Sequence, residues 1–304
     1  MTTLVLLLID LVSWCLHRLG LRRAIAFGRA LGSFVFHLVR VRRKIVLANL
    51  AHAFPEKSER ERRTIAKGCY RQLGRLAIEV LLMPRMTPDE IRSLVRFDGV
   101  EPIDDVLRGG QGIVFCMGHL GNWELLGYET GRRGYRFVAI TKTLKGKLNQ
   151  RLHDTRKKVF GELPASGSFE AGLDVLARGD VLALIIDQHR ASDKAVAVEY
   201  FGRRAATSPA PALFSLRSGA PVYAGWMTLD PDDVYTVHFR GPFPVPEAPT
   251  LAERLQRHSQ MLASDLESIV REHPSEWFWV HRRWKLAEAE ARAAAQQGST
   301  TASA

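Results

Sequence analysis

The chain has 304 residues, 46% apolar and 25% charged, enough to bury a full core and too apolar for wholesale disorder. Lysine and arginine outnumber aspartate and glutamate by 43 to 32, and the net charge of +11 implies an anionic partner: nucleic acid, an anionic membrane surface or an acidic protein. Three widely spaced cysteines (Cys15, Cys69, Cys116) form neither a disulfide framework nor a zinc pattern and suit a reducing compartment.

Met1 to Val39 is apolar but interrupted. Its charge-free runs, Met1–Ile9, Leu11–Leu16 and Ala30–Val39, are broken by Asp10, Arg18, Arg22, Arg23 and Arg29, and none reaches the roughly 18 to 20 residues of a spanning helix. No basic residue precedes the first run and no small-residue cleavage site follows it, so no cleaved secretory signal is expected. Leucine runs alternating with arginines suit helices lying in a membrane interface, although a core helix of a soluble domain carries the same pattern. If the first run does span, the arginines behind it keep the bulk of the chain cytoplasmic.

Arg40 to Phe54 is a basic cluster running into an amphipathic helix that ends before Pro55, and Ser58 with Glu61 fits a capping box opening a helix to about Met83. Val95–Val100 is expected as a strand and Pro102–Leu107 as a short helix. Next comes G-I-V-F-C-M-G-H-L-G-N-W-E-L-L-G-Y (Gly112–Tyr128): a buried strand over Ile113–Met117, a turn bracketed by Gly118 and Gly121, and helical spacing from Asn122. Further expected elements are a strand at Arg136–Thr141, a basic helix at Leu148–Phe160, a helix at Phe169–Arg178 and an apolar strand at Val181–Ile186 ending in Asp187-Gln188-His189. Polar residues at the end of a buried parallel strand lie where open α/β sheets place ligands. A strand at Ala195–Phe201, a helix at Ser208–Arg217, strands at Pro221–Thr228 and Val234–Phe239, and a long helix at Leu251–Arg271 complete the list. The aromatic block Trp277–Lys285 closes the fold; Trp277, Phe278, Trp279 and Trp284 beside Arg282 and Arg283 suit a bilayer interface and core packing equally well, and the tail from Ala287 has the composition of a frayed segment. These elements make one α/β domain over 41–286, behind a helical amino-terminal segment (1–40) and ahead of a flexible tail (287–304).

His119 sits in the glycine turn with Glu124 five residues on. On one helix such residues lie about 140° apart, so they face each other only if His119 precedes the helix. A carboxylate holding one ring nitrogen leaves the other free as a base. A histidine at a strand end is also commonly structural, and the chain has ten. Cys116, inside an apolar strand, reads as a small buried hydrophobe rather than a nucleophile.

H-L-G-N-W-E (His119–Glu124) resembles the H-x4-D/E block of lysophospholipid-type acyltransferases, and in its N-W-E form the late lipid A acyltransferases and their phosphatidylinositol-mannoside acyltransferase relatives. Other blocks agree in order: the basic segment around Arg156, I-I-D-Q (Ile185–Gln188), Y-F-G-R-R-A-A-T-S-P-A-P-A-L (Tyr200–Leu213), and H-P-S-E-W-F-W-V-H-R-R-W-K (His273–Lys285). The resemblance covers about Arg40–Lys285. T-S-P-A-P departs from the family's T-x-x-G-P, and Q-H-R-A-S follows Asp187, both of which bear on the substrate more than on the reaction.

The resemblance implies a glycerol-3-phosphate-acyltransferase-like α/β fold with a central mixed, mostly parallel sheet. It implies acyl transfer from a thioester (acyl carrier protein or acyl-CoA) to a hydroxyl of a glycolipid at the cytoplasmic face of the inner membrane, most plainly a lipid A precursor. A mannoside, ornithine-lipid or polyene acceptor fits the same chemistry. His119 and Glu124 are then catalytic, and Arg156, Asp187, Gln188 and Asn122 are substrate-binding, with Asp187 and Gln188 equally readable as loop and capping groups. No cofactor, metal or nucleotide motif is expected, nor a G-x-S-x-G elbow. The basic residues are spread along the chain without a recognised nucleic-acid module, which argues against a nucleic-acid partner. A non-catalytic protein of the membrane surface keeps the basic helices but has no need of His119.

Overall fold

Four long helices open the chain in the computed structural model, which describes residues 2–141, 146, 150, 153, 154, 156, 161–164 and 169–301. They are α1 (Thr2–Leu19), α2 (Leu21–Phe34, prolonged by a π-helical turn over Val35–Val39), α3 (Arg43–Ala53) and α4 (Glu59–Leu82). The capping box on Ser58 forms as expected. Helix α2 crosses α4 with backbones in contact: a Cβ placed on Gly74 would lie 2.1 Å from the Gly28 carbonyl oxygen, so only glycine permits this approach. Leu16, Ala24 and Ile25 of the first two helices share a core cluster with Ile113, Phe115 and Met117 of the central strand. The amino-terminal segment is thus packed into the same body as the sheet. It still leaves Leu4, Leu7, Leu8, Leu11, Trp14 and Phe27 exposed.

The remaining elements are α5 (Pro88–Arg92), β1 (Val95–Phe97), α6 (Glu101–Arg108), β2 (Ile113–Met117), α7 (Trp123–Arg132), β3 (Phe137–Thr141), β4 (Gly161–Pro164), α8 (Phe169–Ala177) and β5 (Val181–Ile185). They continue with β6 (Val196–Tyr200), β7 (Arg203–Thr207), α9 (Ala210–Ser218), β8 (Val222–Leu229), β9 (Tyr235–Arg240), α10 (Leu251–Glu272) and α11 (Lys285–Thr301). Seven strands form one sheet in the order β1-β9-β8-β2-β5-β3-β4, and every neighbouring pair is parallel except β8–β9. This is the expected mixed, mostly parallel α/β sheet flanked by helices. All five residues of β2 are buried, as a central strand covered on both faces requires. Its register with β5 sets Met117 against Ile185 and with β8 sets Met117 against Gly225, so β2 and β5 end together beside the middle of β8.

Most expected elements differ from the observed ones by a residue or two at their ends. Two strands were not foreseen: β4, which extends the sheet beyond β3, and β7, which pairs with β6 as a separate antiparallel hairpin. R-R-A-A-T lacks a long apolar run, and it is the turn at Phe201 and Gly202, both at positive φ, that folds it back onto β6. Helix α10 holds the hairpin through Gln260, whose Oε1 accepts the Glu199 N–H at 2.7 Å. The expected basic helix at Leu148–Phe160 falls largely outside the described residues; Gln150, His153, Asp154 and Arg156 within it are helical. The segment beyond Ala287, expected to be frayed, belongs to α11, where Glu290 pairs with Arg204. Trp277, Trp279 and Trp284 are core residues packed with Phe54, Tyr200 and Phe201, which decides between core packing and a bilayer-interface position.

Candidate active site

The site begins where β2 runs out. Gly121 adopts φ 63°, and a Cβ there would lie 2.4 Å from the Met227 carbonyl oxygen, so the second glycine of the turn is required twice over. Asn122 caps α7: its Oδ1 accepts the Leu125 N–H at 3.0 Å. Its Nδ2 donates to Glu79 Oε2 on α4 at 2.8 Å. Glu79 is itself bonded by Arg75 Nε at 2.5 Å and by the Tyr235 hydroxyl at 3.0 Å, and Gln72 donates to that hydroxyl at 2.8 Å. Asn122 is fully buried with both ends of its amide engaged inside the protein. It anchors the turn to α4 rather than facing a substrate, which corrects the expected binding role.

The turn leaves the His119 ring at the ends of β2 and β5. Its Nδ1 lies 2.7 Å from Asp187 Oδ1, and its backbone N–H donates to Asp187 Oδ2 at 2.7 Å. The Trp277 indole N–H donates to the same Oδ2 at 2.8 Å. Burial pushes the Asp187 carboxyl up, but His119 and these N–H donors together hold it below the usual carboxylate range. A buried carboxylate with this donor set fixes the proton of neutral His119 on Nδ1 and directs Nε2 outward. The side chain of His119 is 17% exposed and that of Asp187 2%. The imidazole is bounded by Trp123 in a T-shaped contact at 4.7 Å and by Phe278 at 5.6 Å. The amide nitrogen of Gln188 lies 3.4 Å from Nδ1 and 3.3 Å from Nε2, across the ring rather than in line with either nitrogen.

Glu124, expected to hold the imidazole, instead receives Arg156: Nε donates to Oε2 at 2.9 Å, and Nη2 bonds Oε1. The reason is helical geometry. Glu124 points from the first turn of α7 toward the helical residue Arg156, while His119 lies before the helix and meets the strand end carrying Asp187. The expected residues therefore separate into two adjacent units, His119–Asp187–Gln188 and Glu124–Arg156, with Trp123 between them in sequence.

The carboxy-terminal block straps this turn down. Phe278 N–H donates to the His119 carbonyl at 3.0 Å and Gly121 N–H to the Glu276 carbonyl at 3.2 Å. Asn49 of α3 binds the carbonyls of Trp279 and His281 at 2.8 and 2.9 Å. Arg283, buried, donates to the carbonyls of Gln188 at 3.1 Å and Ala206 at 2.7 Å. Sequence reasoning assigned none of these strap roles; the only signal was the unusual density of aromatic and basic residues in H-P-S-E-W-F-W-V-H-R-R-W-K.

A family model for bacterial lipid A biosynthesis acyltransferases matches residues 2–286. The chain belongs to that family. A phosphatidylinositol mannoside acyltransferase of Mycobacterium tuberculosis (strain CDC 1551 / Oshkosh) is 26% identical over 229 residues, covering 73% of this chain and 70% of the relative. The protein of the same name from Mycolicibacterium smegmatis is 21% identical over 211 residues, covering 68% and 67%. The lipid A biosynthesis myristoyltransferase of Escherichia coli K12 is 22% identical over 182 residues, covering 59% and 56%. The chain is accordingly an acyltransferase by family, and its relatives support a glycolipid as the class of acceptor.

Within that frame Cys116 is inert: it is buried, and burial raises its thiol well above the ordinary value. Glu276 behaves differently. Burial drives its carboxyl from 4.5 up to about 7, although the Leu229 N–H donates to Oε2 at 2.9 Å. Between these two values the folded state keeps a proton that the unfolded chain has lost, so stability should fall as pH rises through this window, by about 3 kcal/mol at most. Urea midpoints across that range should show the decline in the wild type and a flatter profile in Glu276→Gln, which keeps an acceptor for Leu229. A parallel decline in both proteins would remove Glu276 as the cause.

Proposed function

We propose that this enzyme moves a fatty acyl chain from a thioester, on acyl carrier protein or coenzyme A, to a hydroxyl of a membrane glycolipid, with a lipid A precursor as acceptor. The observation that carries the reading is the His119–Asp187 pair: a buried carboxylate on Nδ1 leaves Nε2 as a base at an open strand end. Nε2 takes the acceptor's proton as its oxygen attacks the thioester carbon; the C–S bond then breaks and the donor thiol leaves with that proton. Asp187 holds the tautomer and stabilises the imidazolium, the part Glu124 was expected to play. The backbone N–H groups of His119 and Gly121 are engaged by Asp187 and by the Glu276 carbonyl, so the developing oxyanion calls for another donor. We assign Arg156, oriented by Glu124, to the oxyanion or to an anionic group of a substrate.

The apolar surface of α1 and α2 supports a seat on the membrane. Leu4, Leu7, Leu8, Leu11 and Trp14 are exposed beside Arg18, Arg22 and Arg23, the arrangement of an interfacial amphipathic surface on anionic lipid. No single described helix is long and apolar enough to cross a membrane; the bent pair Leu21–Val39 and Arg43–Ala53, at 96°, meets that test only jointly. A mannoside acceptor is the second reading, because the mannoside acyltransferase relatives align over more of this chain than the lipid A enzyme does.

Mass spectrometry of membrane lipids from cells with the wild-type gene, without it, and with His119→Ala tests both. Lipid A lighter by one acyl chain in the two altered strains is the expected result. Intact lipid A with another under-acylated glycolipid replaces the acceptor, and unchanged lipids with a well-expressed protein overturn the enzymatic reading.

A further inference from the structure

We propose that Arg283 is the buried counter-charge of the His119–Asp187 pair, a positioning residue that clamps the strand end carrying the carboxylate and offsets its negative charge. The inference rests on the acyl-transfer reading and adds to it a residue from the opposite side of the pair.

Arg283 and Asp187 are 2% and 3% exposed, and an isolated charge at either position would be costly. Among the described residues Arg283 makes no ion pair. Its guanidinium meets only neutral acceptors: the carbonyl of Gln188 at 3.1 Å, the carbonyl of Ala206 at 2.7 Å and the Thr207 hydroxyl, while its Nε has no partner. Asp187 in turn meets His119 and the N–H groups of His119 and Trp277. The two charges are joined through one residue, since Gln188, whose carbonyl Arg283 holds, directly follows Asp187. Each full charge therefore lacks an ionised bonded partner while His119 is neutral, and the hydrogen bond from Arg283 to the Gln188 carbonyl ties it to the residue that follows the opposite charge. Burial disfavours the charged form of Arg283, and the negative charge of Asp187 acts in the opposite sense.

The other groups around the pair do not replace this charge. His281 is pushed by burial down to about 4 and is neutral, its Nε2 accepting the His189 N–H at 3.1 Å. His189 is likewise lowered by burial, with Lys285 and Arg283 acting in the same direction. Tyr200 of β6 is buried with an unpartnered hydroxyl and stays protonated, with Glu267 and Arg271 of α10 beyond it acting in opposite senses. Gln188 is uncharged. Lys285, which acts on His281 and His189 in the same sense, is exposed, whereas Arg283 is a full positive charge held within the core.

The consequence concerns the resting state. A base must be neutral before the acceptor arrives, and an unscreened buried carboxylate on Nδ1 would hold His119 as imidazolium to higher pH. The sign is therefore set: removing the charge moves the acidic limb of kcat/KM upward.

The test is the pH profile of kcat/KM for wild type, Arg283→Gln and Arg283→Lys, measured on the full chain in detergent micelles with an acyl thioester donor and His119→Ala as control. Arg283→Gln should raise the acidic limb by about one pH unit, and Arg283→Lys, which retains the charge, should restore it toward wild type. Lost activity with an unmoved limb would leave Arg283 as a mechanical clamp only and overturn the proposal, whereas an active His119→Ala would overturn the reading beneath it. If Arg283→Gln folds poorly, the double variant Asp187→Asn/Arg283→Gln should be recovered in greater folded yield, because the uncompensated anion is gone. A double variant no more stable than Arg283→Gln rejects the counter-charge.

Discussion

Asp187→Asn should lower kcat by about 10³- to 10⁴-fold with little change in KM. The size follows from the hydrogen bonds. Oδ2 accepts two N–H groups, from the His119 backbone and the Trp277 indole. An asparagine must place its carbonyl oxygen there, which turns its NH2 toward His119 Nδ1. That nitrogen then has to accept, the ring proton moves to Nε2, and the base is lost while the shape is kept. Glu124→Gln should behave differently, because its partner is Arg156: a loss carried mainly in KM is expected if Arg156 grips a substrate anion. Steady-state kinetics of both variants decide the matter. An active Asp187→Asn beside a Glu124→Gln with collapsed kcat would return the orienting role to Glu124.

The second large effect is on stability. Glu79→Ala should cost about 3–5 kcal/mol, because it leaves Arg75, which has no exposed surface, with only the 3.5 Å contact to Asp233 as an ion pair among the described residues, and unties the Tyr235 hydroxyl and Asn122 Nδ2. For a chain of this size that corresponds to a fall in Tm of roughly 10 °C. Arg75→Met/Glu79→Leu should recover much of it, since two apolar side chains of similar volume remove both buried charges. Activity should fall further than folded yield in Glu79→Ala, because Asn122 anchors the turn that carries His119. Thermal unfolding paired with activity of the folded fraction measures both, and a cost below about 1 kcal/mol would show that the network contributes little.

The polar partners of the site were legible only in part. His119 stood out through its glycine-bracketed turn, and Asp187 through its place at the end of an apolar strand, but their contact spans 68 positions of sequence. Glu124 was the nearer carboxylate, and His119 does precede the helix as that pairing requires, but the fold gives Glu124 to Arg156 and the strand end carrying Asp187 to His119. Asn122 was expected to bind substrate because of its place in the motif. Its burial depends on α4 supplying Glu79, 43 positions earlier, and nothing local to N-W-E announces that partner. The tryptophans of the closing block allowed a bilayer or a core position, and the choice was made by Phe54 at the end of α3 and by Tyr200 and Phe201 at the end of β6.

By itself the sequence determined what short-range physics determines. Periodicity and capping marked most helices and the buried strands; composition marked a basic, apolar-faced amino terminus; ordered motifs marked the family. Tertiary structure decided which charges meet. The pairing of β2 with β5 brought Asp187 to His119, the first turn of α7 gave Glu124 to Arg156, and the closing block brought Arg283 to the carbonyl of Gln188, next to Asp187 in the chain. Local propensity is a property of neighbours along the chain, whereas a buried charge is tolerable only beside a partner that the whole fold must deliver.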